Sequence, residues 1–396
     1  MKQTQQFADR VVDLKASAIR EMFKLMGQSD IISLAGGSPA PESFPSEELA
    51  KISEEILREH GNLALQYGVT EGYQPLRDMV VERTREANRL TENDDTIITT
   101  GAQQAIDLTF KTLVNDGEGM IVERPSFVGT LNSARSYRAK LFDVPVLEDG
   151  MDLNQVEHLL KTENIKLIYT IPTFQNPTGI TMSLENRRRL VELANQYDVY
   201  ILEDNPYGDL RFAGTPVPNI KSLDTEGRVI YCGTFSKILS PGLRIGWVSA
   251  QRDIIDRIVV VKQVNDVHTA LLNQMMAAEF MKRYDMDAHI ARLCKLYGHK
   301  CQIMLDALDR YFPEGCTFTR PEGGLFLWGT LPEGTNTNEL LVRCVERKVA
   351  FVPGNTCMVD IDTPTRFMRL NYSMAPEDKI EFAVQTMSDV IRDYLK

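Results

Sequence analysis

The stretch Gly233-Thr234-Phe235-Ser236-Lys237-Ile238-Leu239-Ser240-Pro241-Gly242-Leu243-Arg244-Ile245-Gly246-Trp247 directly follows a β-type run, Arg228-Val229-Ile230-Tyr231-Cys232. One lysine stands among the hydroxyls of Thr234, Ser236 and Ser240, and an arginine follows it at position 244. A primary amine can form an imine, while hydroxyls and a guanidinium can hold a dianionic phosphate. The loop therefore suits a phosphorylated aldehyde. Taken alone, a lysine in a Ser/Gly loop is ordinarily a solvated surface residue, so the rest of the chain has to decide.

Outward from this loop the chain alternates apolar, β-branched runs with helix-period segments. Strands are expected at 96–100, 119–123, 167–171, 199–203, 229–232 and 245–249, and helices at 46–60, 102–114 and 183–197. Runs that are apolar throughout, rather than alternating, suit strands covered on both faces. The expected fold class is α/β, a three-layer α-β-α large domain with a mainly parallel sheet and a smaller α+β C-terminal domain. Residues 1–45 are read as an N-terminal arm, with a helical pattern from Phe7 to Met26 and then a short strand entering the Gly36-Gly37 loop. Residues 46–285 form the expected large domain. Residues 286–396 form the smaller one, with a long helix at 286–311, strands at 324–331 and 367–372, and helices at 337–347 and 377–395.

Composition excludes several classes. The 396 residues carry a formal net charge of −11, which disfavours nucleic acid or an anionic membrane as a partner. The six cysteines show no metal-ligand spacing. No apolar run approaches the roughly 20 residues of a membrane span. With a polar, charged N-terminal stretch as well, the expectation is a reduced cytoplasmic protein.

In open parallel sheets, ligands gather beyond the carboxyl ends of the strands. Four clusters fall there: Thr99-Thr100-Gly101-Ala102-Gln103-Gln104, Phe174-Gln175-Asn176-Pro177-Thr178-Gly179, Glu203-Asp204-Asn205-Pro206-Tyr207, and the lysine loop. The first offers backbone N–H groups at a helix N-terminus, an anion site, although glycine at a strand–helix turn is common for other reasons. Asn-Pro-Thr-Gly also makes an ordinary tight turn. Spacing adds the argument. Asn176 to Asp204 is 28 residues and Asp204 to Lys237 is 33, each about one strand–helix–strand unit, so all three can meet on one rim. Asp204 is a carboxylate of the kind that keeps a pyridine nitrogen protonated.

These motifs, with Phe367-Met368-Arg369-Leu370-Asn371-Tyr372-Ser373 near the end, occur in an order and spacing that resembles the fold type I pyridoxal-phosphate aminotransferases of the class I/II superfamily. The resemblance spans nearly the whole chain and implies pyridoxal 5'-phosphate as cofactor. It implies that Lys237 carries the cofactor as an imine and moves the substrate proton, and that Asp204 pairs with the pyridine nitrogen. Asn176 and Tyr207 would meet the phenolic oxygen. Gly101, Ala102, Gln103, Thr234, Ser236 and Arg244 would form the phosphate cup, and Phe127 would stack on the ring. Arg369, with Gly37 and Asn176, would hold the substrate, Arg369 as a fork on its α-carboxylate. Tyr67 would reach the cofactor of a second subunit in a homodimer with shared sites. Asn176-Pro177 would be a cis bond. Ala102 stands where many relatives have serine, and Phe127 where some have tyrosine.

The arm, Lys15-Ala16-Ser17-Ala18-Ile19-Arg20-Glu21 followed by Leu34-Ala35-Gly36-Gly37-Ser38-Pro39, is similar to the 2-aminoadipate/kynurenine/aromatic branch. There Arg20 would pair with a distal carboxylate, against the alternative of a solvated helix residue. The implied reaction is ping-pong transfer between an L-amino acid and a 2-oxo acid, 2-oxoglutarate being the expected acceptor. Two other readings stay open: β-elimination from cysteine conjugates on the same cofactor, and the effector-binding domain of a transcription regulator.

Overall fold

The computed structural model describes residues 8–12 and 31–396. Apart from a turn of helix at Asp9–Val12, the expected arm helix lies outside the described residues, and Arg20 with it. From Ile32 on, the chain builds an eight-stranded sheet, a four-stranded sheet and the helices around them.

The large sheet runs in the order Asp94–Thr99, Gly246–Gln251, Val229–Thr234, Tyr200–Asp204, Ile165–Thr170, Gly119–Arg124, Lys140–Leu147, Gly150–Met151. Five consecutive strands, from Val229–Thr234 to Lys140–Leu147, are parallel. Gly246–Gln251 is antiparallel to both its neighbours, and Gly150–Met151 turns back on the edge. Alternate side chains enter separate cores on the two faces: Met120 and Val122 face one, Ile121 the other, and Leu202 and Ile201 divide the same way. Each such side chain, fully withdrawn from water, contributes roughly 1.5–3 kcal/mol. This double burial is why the strands read as unbroken apolar runs.

The helices follow from their sequence signals. Ser183 caps Leu184–Tyr197 by accepting from Asn186 N–H, and Asp198 ends it in the left-handed region at φ 57°. Asp285 caps Met286–Tyr311 through the N–H groups of Asp287 and Ala288. Met286, Ile290, Leu293, Tyr297, Cys301, Met304 and Leu308 recur at steps of three and four, giving this long helix one buried face.

The four-stranded sheet is antiparallel, in the order Thr317–Phe318, Phe326–Thr330, Phe367–Asn371, Val352–Pro353. Ile32–Ser33 pairs in parallel with Val349–Ala350, and Asn371 N–H donates to Leu34 O, so the 34–38 segment is tied beside this sheet. The longest strand absent from the expectation lies near the sheet edge; the others, at Gly150–Met151, Thr317–Phe318, Val349–Ala350 and Val352–Pro353, are two residues each. Lys140–Leu147 carries charges at Lys140 and Asp143 and a proline at 145, and it is only partly buried because little covers it near the sheet edge. Asp204 is the last residue of its strand, one position beyond the expected end at 203.

Candidate active site

Four of the five parallel strands end at Arg124, Thr170, Asp204 and Thr234, and Thr99 ends the edge strand that runs in the same direction. The segments that follow these ends enclose a cavity of about 370 Å³. Gly37, Ala102, Gln103, Phe127, Asn176, Asp204, Tyr207, Thr234, Ser236, Lys237, Arg244 and Arg369 all line it. Phe326, Ile106, Val128 and Ile171 supply apolar wall.

Lys237 is held by the packing of its own loop. Phe235 stacks at a tilt on Trp247, 5.2 Å between centroids, and a Cβ on Gly233 would overlap the Trp247 ring. The lysine Nζ donates to Gly37 O at 2.7 Å. Burial, with help from the Arg369 and Arg244 charges, pushes its pKa down to about 8, while Asp204 pulls the other way. About a tenth of the amine would then be unprotonated at pH 7, the form a nucleophilic amine requires.

Asp204 is 2% exposed, and its Oδ2 accepts from Tyr169 Oη at 2.7 Å. Its Oδ1 is buried without a hydrogen-bond partner. Burial pushes its pKa up to about 7, opposed by the Tyr169 hydrogen bond and by Lys237. A buried carboxylate oxygen left unpartnered is costly, and a cationic N–H in the cavity would satisfy it.

Arg369 occupies the four-stranded sheet opposite Trp328 and reaches back into the cavity. Nη1 donates to Asn176 Oδ1 (3.1 Å) and Nη2 to Ala35 O (2.8 Å), and the guanidinium lies 4.4 Å from the Phe326 centroid. Its Nε has no partner, so donor capacity remains for a carboxylate. Asn176 Nδ2 donates to Tyr207 Oη at 3.4 Å, and Tyr207 meets Phe326 edge to face at 5.7 Å. Asn176-Pro177 is cis, as is Arg124-Pro125.

Thr234 Oγ1 lies 2.9 Å from Ser236 Oγ and accepts from Ser236 N–H. Arg244 reaches Ser236 Oγ with Nη1 (3.5 Å) and Thr100 O with Nη2 (3.3 Å). Gly101, at φ 76°, opens the helix Ala102–Leu113, and a Cβ there would overlap Arg244 Nη2. Two hydroxyls, a guanidinium and a helix N-terminus thus surround one end of the cavity, an arrangement suited to a dianion. The Gln103 amide donates to Gly129 O, so it borders the cup with one of its two side-chain N–H groups engaged.

Tyr67 lies elsewhere. It is 79% exposed and touches His268 edge to face at 5.8 Å, away from its own chain's cavity.

Three contributors escaped the sequence reading. Tyr169 sits inside an aliphatic strand, where an aromatic reads as core. Phe326 does the same in its own strand. Glu123, fully buried at the end of Gly119–Arg124, accepts from Thr170 Oγ1 (2.6 Å) and Gln175 Nε2 (3.0 Å), and burial pushes its pKa up to about 7. An acid ending an aliphatic strand is the signal that picked out Asp204, and it applied equally to Glu123.

Residues 29–387 match the family model described as "Aminotransferase class I and II", and the chain belongs to that family. It is an aminotransferase. The chain is 42% identical to an aromatic-amino-acid aminotransferase of Thermococcus litoralis, over 98% of this chain and 95% of that one. A kynurenine aminotransferase of Pyrococcus horikoshii, solved in complex with PMP, KYN and KYA, superposes with a TM-score of 0.94 at 39% identity and 98% coverage of both chains. LysN, the α-aminoadipate aminotransferase of Thermus thermophilus, solved with N-(5'-phosphopyridoxyl)-L-leucine, does so with a TM-score of 0.91 at 38% identity and the same coverage.

Proposed function

We propose that this enzyme transfers an amino group between an L-amino acid and a 2-oxo acid with pyridoxal 5'-phosphate as cofactor. The observation that carries the proposal is the unpartnered, buried Asp204 Oδ1 in the same cavity as the lowered-pKa amine of Lys237. The residues present fit the cofactor. Asp204 would hold the ring nitrogen, Tyr207 and Asn176 the phenolic oxygen, Phe127 a ring face, and Thr234, Ser236, Arg244 and the Gly101–Gln103 backbone the phosphate. When bound, the cofactor supplies an electron sink for the bonds at the substrate α-carbon.

The chain's own residues do the rest. Arg369 fixes the α-carboxylate through its free donor capacity, and the Phe326 ring beneath it limits where the guanidinium can move. That orientation presents the α-hydrogen to Lys237 Nζ, whose lowered pKa suits it to take and return the proton near neutral pH. Tyr169 keeps Asp204 oriented.

The substrate class is part of the proposal. Ile106, Val128 and Phe326 form an apolar wall that accepts an aromatic or long aliphatic side chain. The aromatic, kynurenine and α-aminoadipate aminotransferases among the relatives support the same range. Arg20, outside the described residues, is the candidate for a distal carboxylate, with 2-oxoglutarate as the second substrate of a ping-pong cycle. A homodimer is likewise proposed. Leu65 (74% exposed) and Tyr67 (79% exposed) present large apolar side chains on one loop, Tyr67 lying against His268, and Val264 (77% exposed) does so on the loop that carries His268.

The test is a set of half-reactions on the cofactor-loaded enzyme, one amino acid at a time, followed by visible absorbance and by release of the 2-oxo acid. Phenylalanine, tyrosine, kynurenine, 2-aminoadipate and glutamate should each bleach the visible band with stoichiometric oxo-acid release. Pyruvate and ammonia from a cysteine conjugate, without any such conversion, would replace transfer with β-elimination.

A further inference from the structure

Lys262 has a side chain 0% exposed, on the last turn of the helix Arg252–Gln263, and the chemistry above makes no use of it. Its Nζ lies within hydrogen-bonding distance of Asp266 Oδ1 (2.7 Å), Asp266 Oδ2 (3.0 Å), Gln104 Oε1 (3.0 Å) and Thr269 Oγ1 (3.2 Å). Asp266 Oδ2 in turn accepts from Thr100 Oγ1 (2.9 Å) and Gln104 Nε2 (2.7 Å). Gln104 Oε1 also accepts the Thr100 N–H at 2.7 Å. Thr100 and Gln104 flank Gly101, and the Thr100 carbonyl is where Arg244 Nη2 lands.

A buried ammonium and a carboxylate therefore clamp both sides of the turn that closes the anion cup. The ammonium is fully buried and its partner carboxylate 26% exposed, so the lysine costs desolvation and its presence is weak evidence of a purely stabilising role. The segment behind it is held against its own preference. Val267, β-branched, lies at φ 65°, a left-handed conformation that persists only where the surroundings enforce it. Asn265 N–H and Asp266 N–H both return to Lys262 O (3.0 Å each), and His268 N–H to Asp266 O (2.7 Å). The enforced geometry delivers Asp266 to Thr100 and Gln104.

We infer that the Lys262–Asp266 pair is a positioning device for the phosphate turn, fixing Thr100 and Gln104 so that the Gly101–Ala102 backbone and Arg244 meet a phosphate in one arrangement. Neither residue touches a reacting atom. The inference rests on the proposal that pyridoxal phosphate occupies the cavity, and it assigns a role that concerns the phosphate alone.

The experiment compares cofactor-free wild type, Lys262→Met and Asp266→Asn in titrations with pyridoxal 5'-phosphate and with pyridoxal, which lacks the phosphate. In both variants, affinity for pyridoxal phosphate should fall by roughly tenfold or more, while affinity for pyridoxal stays within about twofold. Parallel losses for the two ligands would mean a general structural role and would overturn the inference, as would no change for either. If Lys262→Met does not fold, Asp266→Asn, which keeps shape and volume, decides between the same outcomes. Wild type that binds neither ligand removes the cofactor proposal itself, a failure visible before any variant is examined.

Discussion

Asp204 ends its strand and Glu123 is the last residue but one of its own, on either side of Ile165–Thr170, and burial raises the pKa of both carboxyl groups to about 7. For Asp204 the ordinary value is 3.8, so the folded chain holds a proton that the unfolded chain has lost between these pH values. The stability tied to that proton is complete below the unfolded value and is lost as pH rises through the folded one. Cofactor-free wild type should therefore lose stability relative to Asp204→Asn as pH rises from about 4 to about 7, by a few kcal/mol at most, and the difference should level off above that. Denaturant melts of the two proteins across that range test this, and a pH-independent difference would contradict the buried, unpartnered state. Arg369 gives a second prediction at this scale. Two charge-assisted hydrogen bonds to an α-carboxylate are worth enough that Arg369→Ala should lower kcat/KM about a hundredfold or more. The loss should be equal for amino and oxo acids, since both carry that group. A loss confined to one side chain would place the carboxylate elsewhere.

At the scale of elements, the site is a set of strand ends, and this explains what could be read in advance. Lys237, Asp204 and Asn176 were legible because chemistry-bearing residues follow apolar strands at one-unit spacing, which forces them to one rim. Arg369 was legible only through the resemblance, since it lies mid-strand in a different sheet. Tyr169 and Phe326 were illegible for the physical reason that an aromatic in an apolar strand looks the same whether its face meets core or cavity. The strand Lys140–Leu147 was missed because a sheet margin needs few apolar residues. The turn at Gly101 carries the prediction at this scale. A side chain there must adopt φ 76° and displace Arg244, so Gly101→Ala should cost about 1–3 kcal/mol in stability. It should also weaken pyridoxal phosphate more than pyridoxal. Unchanged affinity, measured by equilibrium titration, would remove this turn from the phosphate site.

For the whole molecule, the described surface leaves Tyr67, against His268, and Val264 exposed, and no helix among the described residues is long and apolar enough to cross a membrane. Val264 and His268 belong to the loop 264–269, whose Asp266 meets the phosphate turn, so the proposed dimer contact and the cup would share one structural element. Leu65→Glu places a charge at the proposed dimer contact and should shift sedimentation from the proposed dimer to monomer, with loss of activity at low protein concentration. A dimer that survives the charge would move the interface elsewhere. The account stands or falls on Lys237 as the residue that takes the cofactor. The most direct measurement is borohydride reduction of the enzyme loaded with pyridoxal phosphate, followed by proteolysis and mass spectrometry. A single phosphopyridoxyl group on the peptide containing Lys237 is the predicted result. The same group on another lysine, or on none, would contradict the central claim.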